Sequence, residues 1–145
     1  MPPAKVVVDT NVLVSRTLTP HGAPARVVDA VLAGEAMACY DRRILGEYRE
    51  VLSRPRFGFD REEIDSLLAQ VTADGLPVIP SPSAMDLPDE SDRPFVEVAE
   101  TADAWLVTGN LKHFPGVARA VNPTGFLRIL ESRQTFGQFT ISALR

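Results

Sequence analysis

The sequence is poor in soft metal ligands, with one cysteine (Cys39) and two histidines (His21 and His113) in 145 residues. A lone cysteine closes no internal disulfide and excludes a cysteine-rich metal centre. Neither histidine stands in a ligand motif, which disfavours zinc. His21, between Pro20 and Gly22, reads as loop surface, and Cys39 ends an apolar run as a small buried hydrophobe. There is no glycine-rich phosphate loop, so nucleoside triphosphate and dinucleotide chemistry is disfavoured. There is no G-x-S-x-G elbow for a serine hydrolase. No apolar run approaches the ~20 residues of a membrane span. Met1–Lys5 leads directly into Val6-Val7-Val8, so neither a signal peptide nor a membrane anchor is expected, and the expected location is the cytoplasm.

Positive charge is also in short supply: 15 Lys and Arg face 19 Asp and Glu, a formal net charge of −4. Nucleic-acid binders normally draw their phosphate contacts from Lys and Arg, so this sum counts mildly against such a partner. An acidic metal site itself lowers the sum, however, and local distribution matters more. Residues 41–61 hold Arg42, Arg43, Arg49, Arg54, Arg56 and Arg61 against four acids, a locally basic stretch whose simplest account is a solvated helix face.

The remaining composition, 45% apolar and 23% charged, is that of a globular chain long enough for one real core. Lys5–Val8 is a β-branched run suited to a strand buried on both faces. Residues 23–34 read as a helix with Pro24 at its start and Gly34 just past its end. A strand at 36–39 and a helix at 42–53, ended by Pro55, follow. Asp60 with Glu63 gives a capping-box spacing for the next helix. Residues 76–79 suit an edge strand, because Pro77 cannot donate to a ladder. The Pro/Ser/Asp-rich stretch 80–91 reads as a loop. A helix near 92–102, strands at 105–108 and 118–121, and a helix from Pro123 through Glu131 complete the pattern. Strands separated by helices imply parallel strands joined by right-handed crossovers, hence an α/β sandwich.

In open parallel sheets, functional groups gather beyond the carboxyl ends of the strands. Asp9 follows the first strand directly; its plainest alternative role is to cap the helix that follows. On the 42–53 helix, Ile44, Leu45, Tyr48, Val51 and Leu52 form an apolar stripe. Glu47 borders that stripe while Glu50 points to water, so Glu47 is the costlier carboxylate to leave without a partner. Asp92 falls on the side of Phe95, Val98, Ala99 and Ala102, though a first-turn acid also suits the helix dipole. Asp89 and Glu90 are expected in solvent. Asn110 follows the 105–108 strand as Asp9 follows the first. Three acids and an amide of this kind describe a site for a hard cation, Mg²⁺ or Mn²⁺, with room for a phosphate. Thr10, Asn11 and Thr108 are placed to hydrogen-bond the carboxylates, and Arg16 or Lys112 to hold a phosphate backbone. A phosphohydrolase with an aspartyl-phosphate intermediate is the rival enzyme. Such enzymes usually carry a second Asp two residues after the first, where this chain has Asn11.

The segments 6–15 (VVVDTNVLVS), 44–55 (ILGEYREVLSRP), 90–115 (ESDRPFVEVAETADAWLVTGNLKHFP) and 121–127 (VNPTGFL) together resemble a PIN domain. They are most similar to the VapC-like PIN toxins of bacterial toxin–antitoxin systems. The resemblance spans about residues 5–131. It implies a PIN-like α/β/α sandwich with a mostly parallel sheet of about five strands, as residues 1–131. Residues 132–145 form a tail, and Phe136, Phe139 and Ile141 suggest that it packs on the domain or a partner. The resemblance further implies an Mg²⁺- or Mn²⁺-dependent endoribonuclease with Asp9, Glu47 and Asp92 on the metal, an RNA substrate, a homodimer and a small inhibitory antitoxin. The family often has Asp where this chain has Asn110. That departure is the best support for the alternative, a non-catalytic PIN-like module that binds RNA or protein.

Overall fold

A computed structural model describes the backbone of residues 2–144 and the side-chain surroundings of residues 2–133. Strand and helix alternate: β1 (Ala4–Val8), α1 (Thr10–Leu18), α2 (Ala23–Leu32), β2 (Ala36–Tyr40), α3 (Arg42–Leu52), α4 (Arg61–Ala73), β3 (Leu76–Pro77), α5 (Arg93–Ala102), β4 (Trp105–Val107), β5 (Ala120–Val121) and α6 (Pro123–Leu144). Single 3₁₀ turns lie at Pro55–Phe57, Glu90–Asp92 and Leu111–His113. The five strands form one sheet in the order β3-β2-β1-β4-β5, and every neighbouring pair is parallel. Helix α5 lies along β1, β2 and β4, while α2 leans on β2 and α6 on β4, so the expected α/β/α sandwich is what forms.

The central strands are apolar without alternation because helices cover both faces. Val6, Val7, Leu106 and Val107 are fully buried. The helix boundaries follow from local chemistry. The Asp60 side chain accepts from the Glu63 amide and the Glu63 side chain accepts from the Asp60 amide, the capping box expected for α4. Past α2, Gly34 takes a φ of +79°, which lets the Glu35 amide turn back to the Ala30 carbonyl. Pro94 fits in the first turn of α5, where its missing N–H has no helical partner to lose. The edge position of β3, with Pro77 in it, also matches expectation.

Some boundaries move. The final helix does not stop at Glu131 but continues to Leu144. Where the side chains of residues 134–145 dock lies outside the described residues. The strand read at 118–121 shrinks to two residues, and Trp105 at the start of β4 is only partly buried, beside the Arg119 guanidinium.

Two glycines give opposite predictions. A methyl at Gly75 would stand 2.8 Å from both the Ala38 carbonyl oxygen and a Tyr40 ring carbon, since the chain passes β2 closely there. Gly75→Ala is expected to destabilise the protein by about 1–3 kcal/mol through overpacking. Gly46 is an exposed position in the middle of α3 with open space around it. Gly46→Ala is expected to stabilise by roughly 0.5–1 kcal/mol. Urea unfolding of both variants checks the two signs.

Candidate functional site

The connections reverse direction at β1 and β4: the chain leaves β1 toward β2 and β3, then returns across to β4 and β5. At such a switch point the carboxyl ends of two adjacent strands open a crevice. Asp9 follows β1 and Thr108 follows β4, and they meet there. The Asp9 amide donates to the Val107 carbonyl at 2.9 Å, and the Thr108 hydroxyl donates to Oδ2 of Asp9 at 2.7 Å. Both residues are buried. The loop after β4 is held in turn, because the Gly109 amide donates to Oδ1 of Asn11 at 3.2 Å and the Asn110 amide to the Thr108 hydroxyl at 3.0 Å.

Helix α3 brings Glu47 to this crevice. The Tyr48 hydroxyl donates to the Val8 carbonyl, pinning α3 to the end of β1. The Thr10 hydroxyl then donates to Oε2 of Glu47. Glu47 is half-buried and Glu50 exposed, as the stripe on α3 implied. Asp92 arrives from the 3₁₀ turn that leads into α5 and is buried.

The capping alternative fails for both aspartates. Asp9 precedes α1 and Asp92 precedes α5, yet neither side chain accepts a capping hydrogen bond. Asp41, Asp60 and Asp89, at other helix starts, all do. Asp9 instead accepts from Thr108, while Asp92 keeps a buried oxygen that no hydrogen bond meets. Asp92 is the sharper case. Its Oδ2 is buried without a hydrogen bond; Nδ1 of His113 stands 3.2 Å away, outside hydrogen-bonding geometry. A buried acceptor left so is costly unless something else meets it.

The acids feel one another. Burial, then repulsion from Asp9 and Asp89, pushes the Asp92 carboxyl up to about 6, with His113 opposing. Burial also raises Glu47, with Asp9, Glu50 and Asp89 adding repulsion and the Thr10 hydroxyl opposing it. Asp9 is raised by burial against the pull of Thr108 and the neighbouring amides. The three residues therefore share one field. Asp89, expected in solvent, is indeed exposed, yet its charge reaches Glu47 and Asp92.

Other expectations are placed differently. The Asn110 side chain hydrogen-bonds none of the three acids; that residue joins the site through its backbone. Arg16 pairs with Asp29 at 3.6 Å, and Lys112 is exposed beside His113. In the basic stretch, Arg43, Arg49 and Arg54 are paired with acids and Arg56 lies over the Phe57 ring.

Among the described residues, no three His, Cys, Asp or Glu side chains gather tightly enough to ligate one ion. Even so, the donors fit a hard cation. Mg²⁺ is ordinarily bound through one or two carboxylates while keeping several waters. Asp9 and Asp92 offer that all-oxygen set, and the unpartnered Oδ2 of Asp92 is an acceptor such an ion would satisfy.

A pH dependence follows. The folded protein holds a proton on Asp92 up to about pH 6, against an ordinary Asp value of 3.8. That term stabilises the fold below about pH 4 and is lost as pH rises through about 6, leaving a charged side chain that costs stability. Asp92→Asn is therefore expected to raise the Tm of metal-free protein by about 4 °C at pH 7.5 and to leave it unchanged at pH 4. Thermal melts at the two pH values measure this, and a lower Tm for the variant at pH 7.5 refutes it.

Comparison with known proteins agrees with the fold. The chain is 26% identical over 109 residues to the Uncharacterized protein MJ1680 of Methanocaldococcus jannaschii, an alignment covering 73% of this chain and 70% of that one. Its fold resembles the crystal structure of VapBC2 from Rickettsia felis bound to a promoter DNA fragment, with a TM-score of 0.54 and 15% identity, over 81% of this chain and 96% of that one. A model of the PIN domain family matches residues 5–112, a span that holds β1 to β4 with Asp9, Glu47, Asp92 and Asn110, and the chain belongs to that family.

Proposed function

We propose that this protein is an Mg²⁺- or Mn²⁺-dependent endoribonuclease, the toxin of a toxin–antitoxin pair. The observation that carries the reading is the buried, uncapped Asp92, whose Oδ2 has no hydrogen-bond partner beside the equally uncapped Asp9. PIN family membership supports it, since PIN domains are generally nucleases that use divalent metals.

In this reading Asp9 and Asp92 hold the cation, with Glu47 completing the acidic cluster. A bound Mg²⁺ or Mn²⁺ supplies a water of lowered pKa and offsets charge building on the phosphate oxygens. The chain's own residues do the rest. Thr108 fixes one oxygen of Asp9, which leaves the other for the crevice. Thr10 holds Glu47, and Asn11 keeps the Gly109–Asn110 loop close to β1. Lys112, exposed beside His113, would meet the phosphate backbone of RNA. Water attacks phosphorus, the P–O bond to the leaving ribose breaks, and the departing oxygen takes up a proton.

The partner follows by analogy. A fold neighbour was crystallised as VapBC2 with promoter DNA, which supports a small antitoxin for this chain as well. Residues 1–131 act as the nuclease domain and the tail 132–145 packs on it or on a partner, in a cytoplasmic homodimer. Two observations favour a second reading, a PIN-like module that binds RNA or protein without cutting. Asn110 brings no charge, and among the described residues no ligand set is already closed.

Cleavage of single-stranded RNA in Mn²⁺ separates the readings. Asp9→Asn and Asp92→Asn are each expected to lower cleavage at least about 100-fold, because loss of a metal ligand removes several kcal/mol of transition-state stabilisation. EDTA is expected to abolish cleavage and excess Mn²⁺ to restore it. Equal cleavage by native protein and Asp9→Asn would sink the assignment, and tight RNA binding without cleavage would favour the binding module.

A further inference from the structure

The buried carboxylate that this chemistry leaves unused is Glu97. It lies in α5 within an unbroken buried run, Phe95-Val96-Glu97-Val98-Ala99. An ionised side chain persists there only with partners. Oε1 accepts from Nη1 of Arg43 at 2.8 Å, and Oε2 accepts from the Ser83 amide at 2.8 Å. The Ser83 amide first and Arg43 second hold Glu97 below the usual glutamate range.

Both partners are anchored in their turn. Nε of Arg43 donates to Oδ2 of Asp41 at 2.8 Å, and the other Asp41 oxygen caps α3 through the Ile44 amide at 3.0 Å. The Ser83 carbonyl accepts from Nη1 of Arg93 at 2.8 Å, and Arg93 also grips Glu90 through two 2.6 Å hydrogen bonds. One chain of charged contacts thus runs from the start of α3, across α5, into the connector that ends at Asp92.

Its placement matters for the site. Arg43 stands one helical turn before Glu47 on α3. Glu97 stands on α5, which Asp92 opens, and Arg93 is the next residue. The two helices therefore carry acids that repel each other, and this ion pair ties them together. We infer that Arg43 and Glu97 are positioning residues that fix the spacing of α3 against α5, and so hold Glu47 and Asp92 where a cation can engage them. The role rests on the metal-dependent reading above. A supporting shell of this sort ordinarily governs metal affinity about 10–100-fold without touching the ion.

A second ion pair on α3 provides the control. Arg49 reaches Asp65 on α4, with both side chains 51% exposed, and α4 carries none of the proposed ligands. Calorimetric titration of the metal-free full chain with MnCl₂ tests the role in native protein, Arg43→Met, Arg43→Lys, Glu97→Gln and Arg49→Met. The Arg43 side chain is 44% exposed, so its replacement leaves the core intact. Arg43→Met and Glu97→Gln are expected to weaken Mn²⁺ binding about tenfold or more. Arg43→Lys should fall between native and Arg43→Met, since an ammonium can still donate to Glu97 but gives up the fork that also reaches Asp41. Arg49→Met should bind as native does. In RNA cleavage at a fixed Mn²⁺ concentration that does not saturate the native site, the Arg43→Met loss should fall on kcat with KM little changed. Native-like Mn²⁺ affinity in folded Arg43→Met overturns the positioning role, as does an equal loss in Arg49→Met. Native protein that binds no Mn²⁺ overturns the metal reading itself, and this role with it.

Discussion

The parallel pairing of β1 with β4 is the constraint from which the site follows. These strands are about a hundred residues apart in the chain, yet their register sets Val8 beside Val107 and so places Asp9 next to Thr108. The hydrogen bond between those two side chains is buried, where an unmade one would be costly. Because both strands are apolar and covered on both faces, a slip in register would disturb the core as well as the site. The fold and the candidate site are thus secured by the same valines.

A buried group of like charges costs stability, and here the cost is concentrated on Asp92. In the metal-free protein it is lowered by protonation; in the proposed working state a divalent ion takes the proton's place. Binding to the folded state alone would then stabilise it by mass action. On that proposal one carboxyl group would couple conformational order to metal occupancy, and sites built this way commonly trade resting stability for activity.

Much of this was legible in the sequence. The unbroken valine run before Asp9 and the apolar stripe beside Glu47 identified strand end and helix border, because side-chain periodicity reports burial directly. Asp92 was legible by its side of the helix, but whether it capped was not. Capping depends on a rotamer, and Asp41 and Asp92 look alike until their side chains are seen. Glu97 does carry a signal in the sequence, a charge inside the run Phe95–Ala99. Phe95, Val98, Ala99 and Ala102 mark one apolar face, whereas α5 is buried nearly all round. The tethering of residues 80–91 was beyond reach, since a Pro/Ser/Asp-rich stretch reads as loop wherever its backbone hydrogen bonds go. The end of α6 is not legible, since Ser132 to Phe136 hold no proline or glycine to mark a stop after Glu131 and propensity alone sets no boundary.

The blunt left edge of the sheet has a consequence for the protein in a crowded cell. β3 is two residues long, one of them Pro77, which has no N–H to offer a visiting strand. A parallel sheet whose central strands are strongly apolar is otherwise the sort of template on which chains stack into fibrils. With that border closed to strand addition, a protein accumulating at high local concentration keeps one route to self-templated aggregation shut.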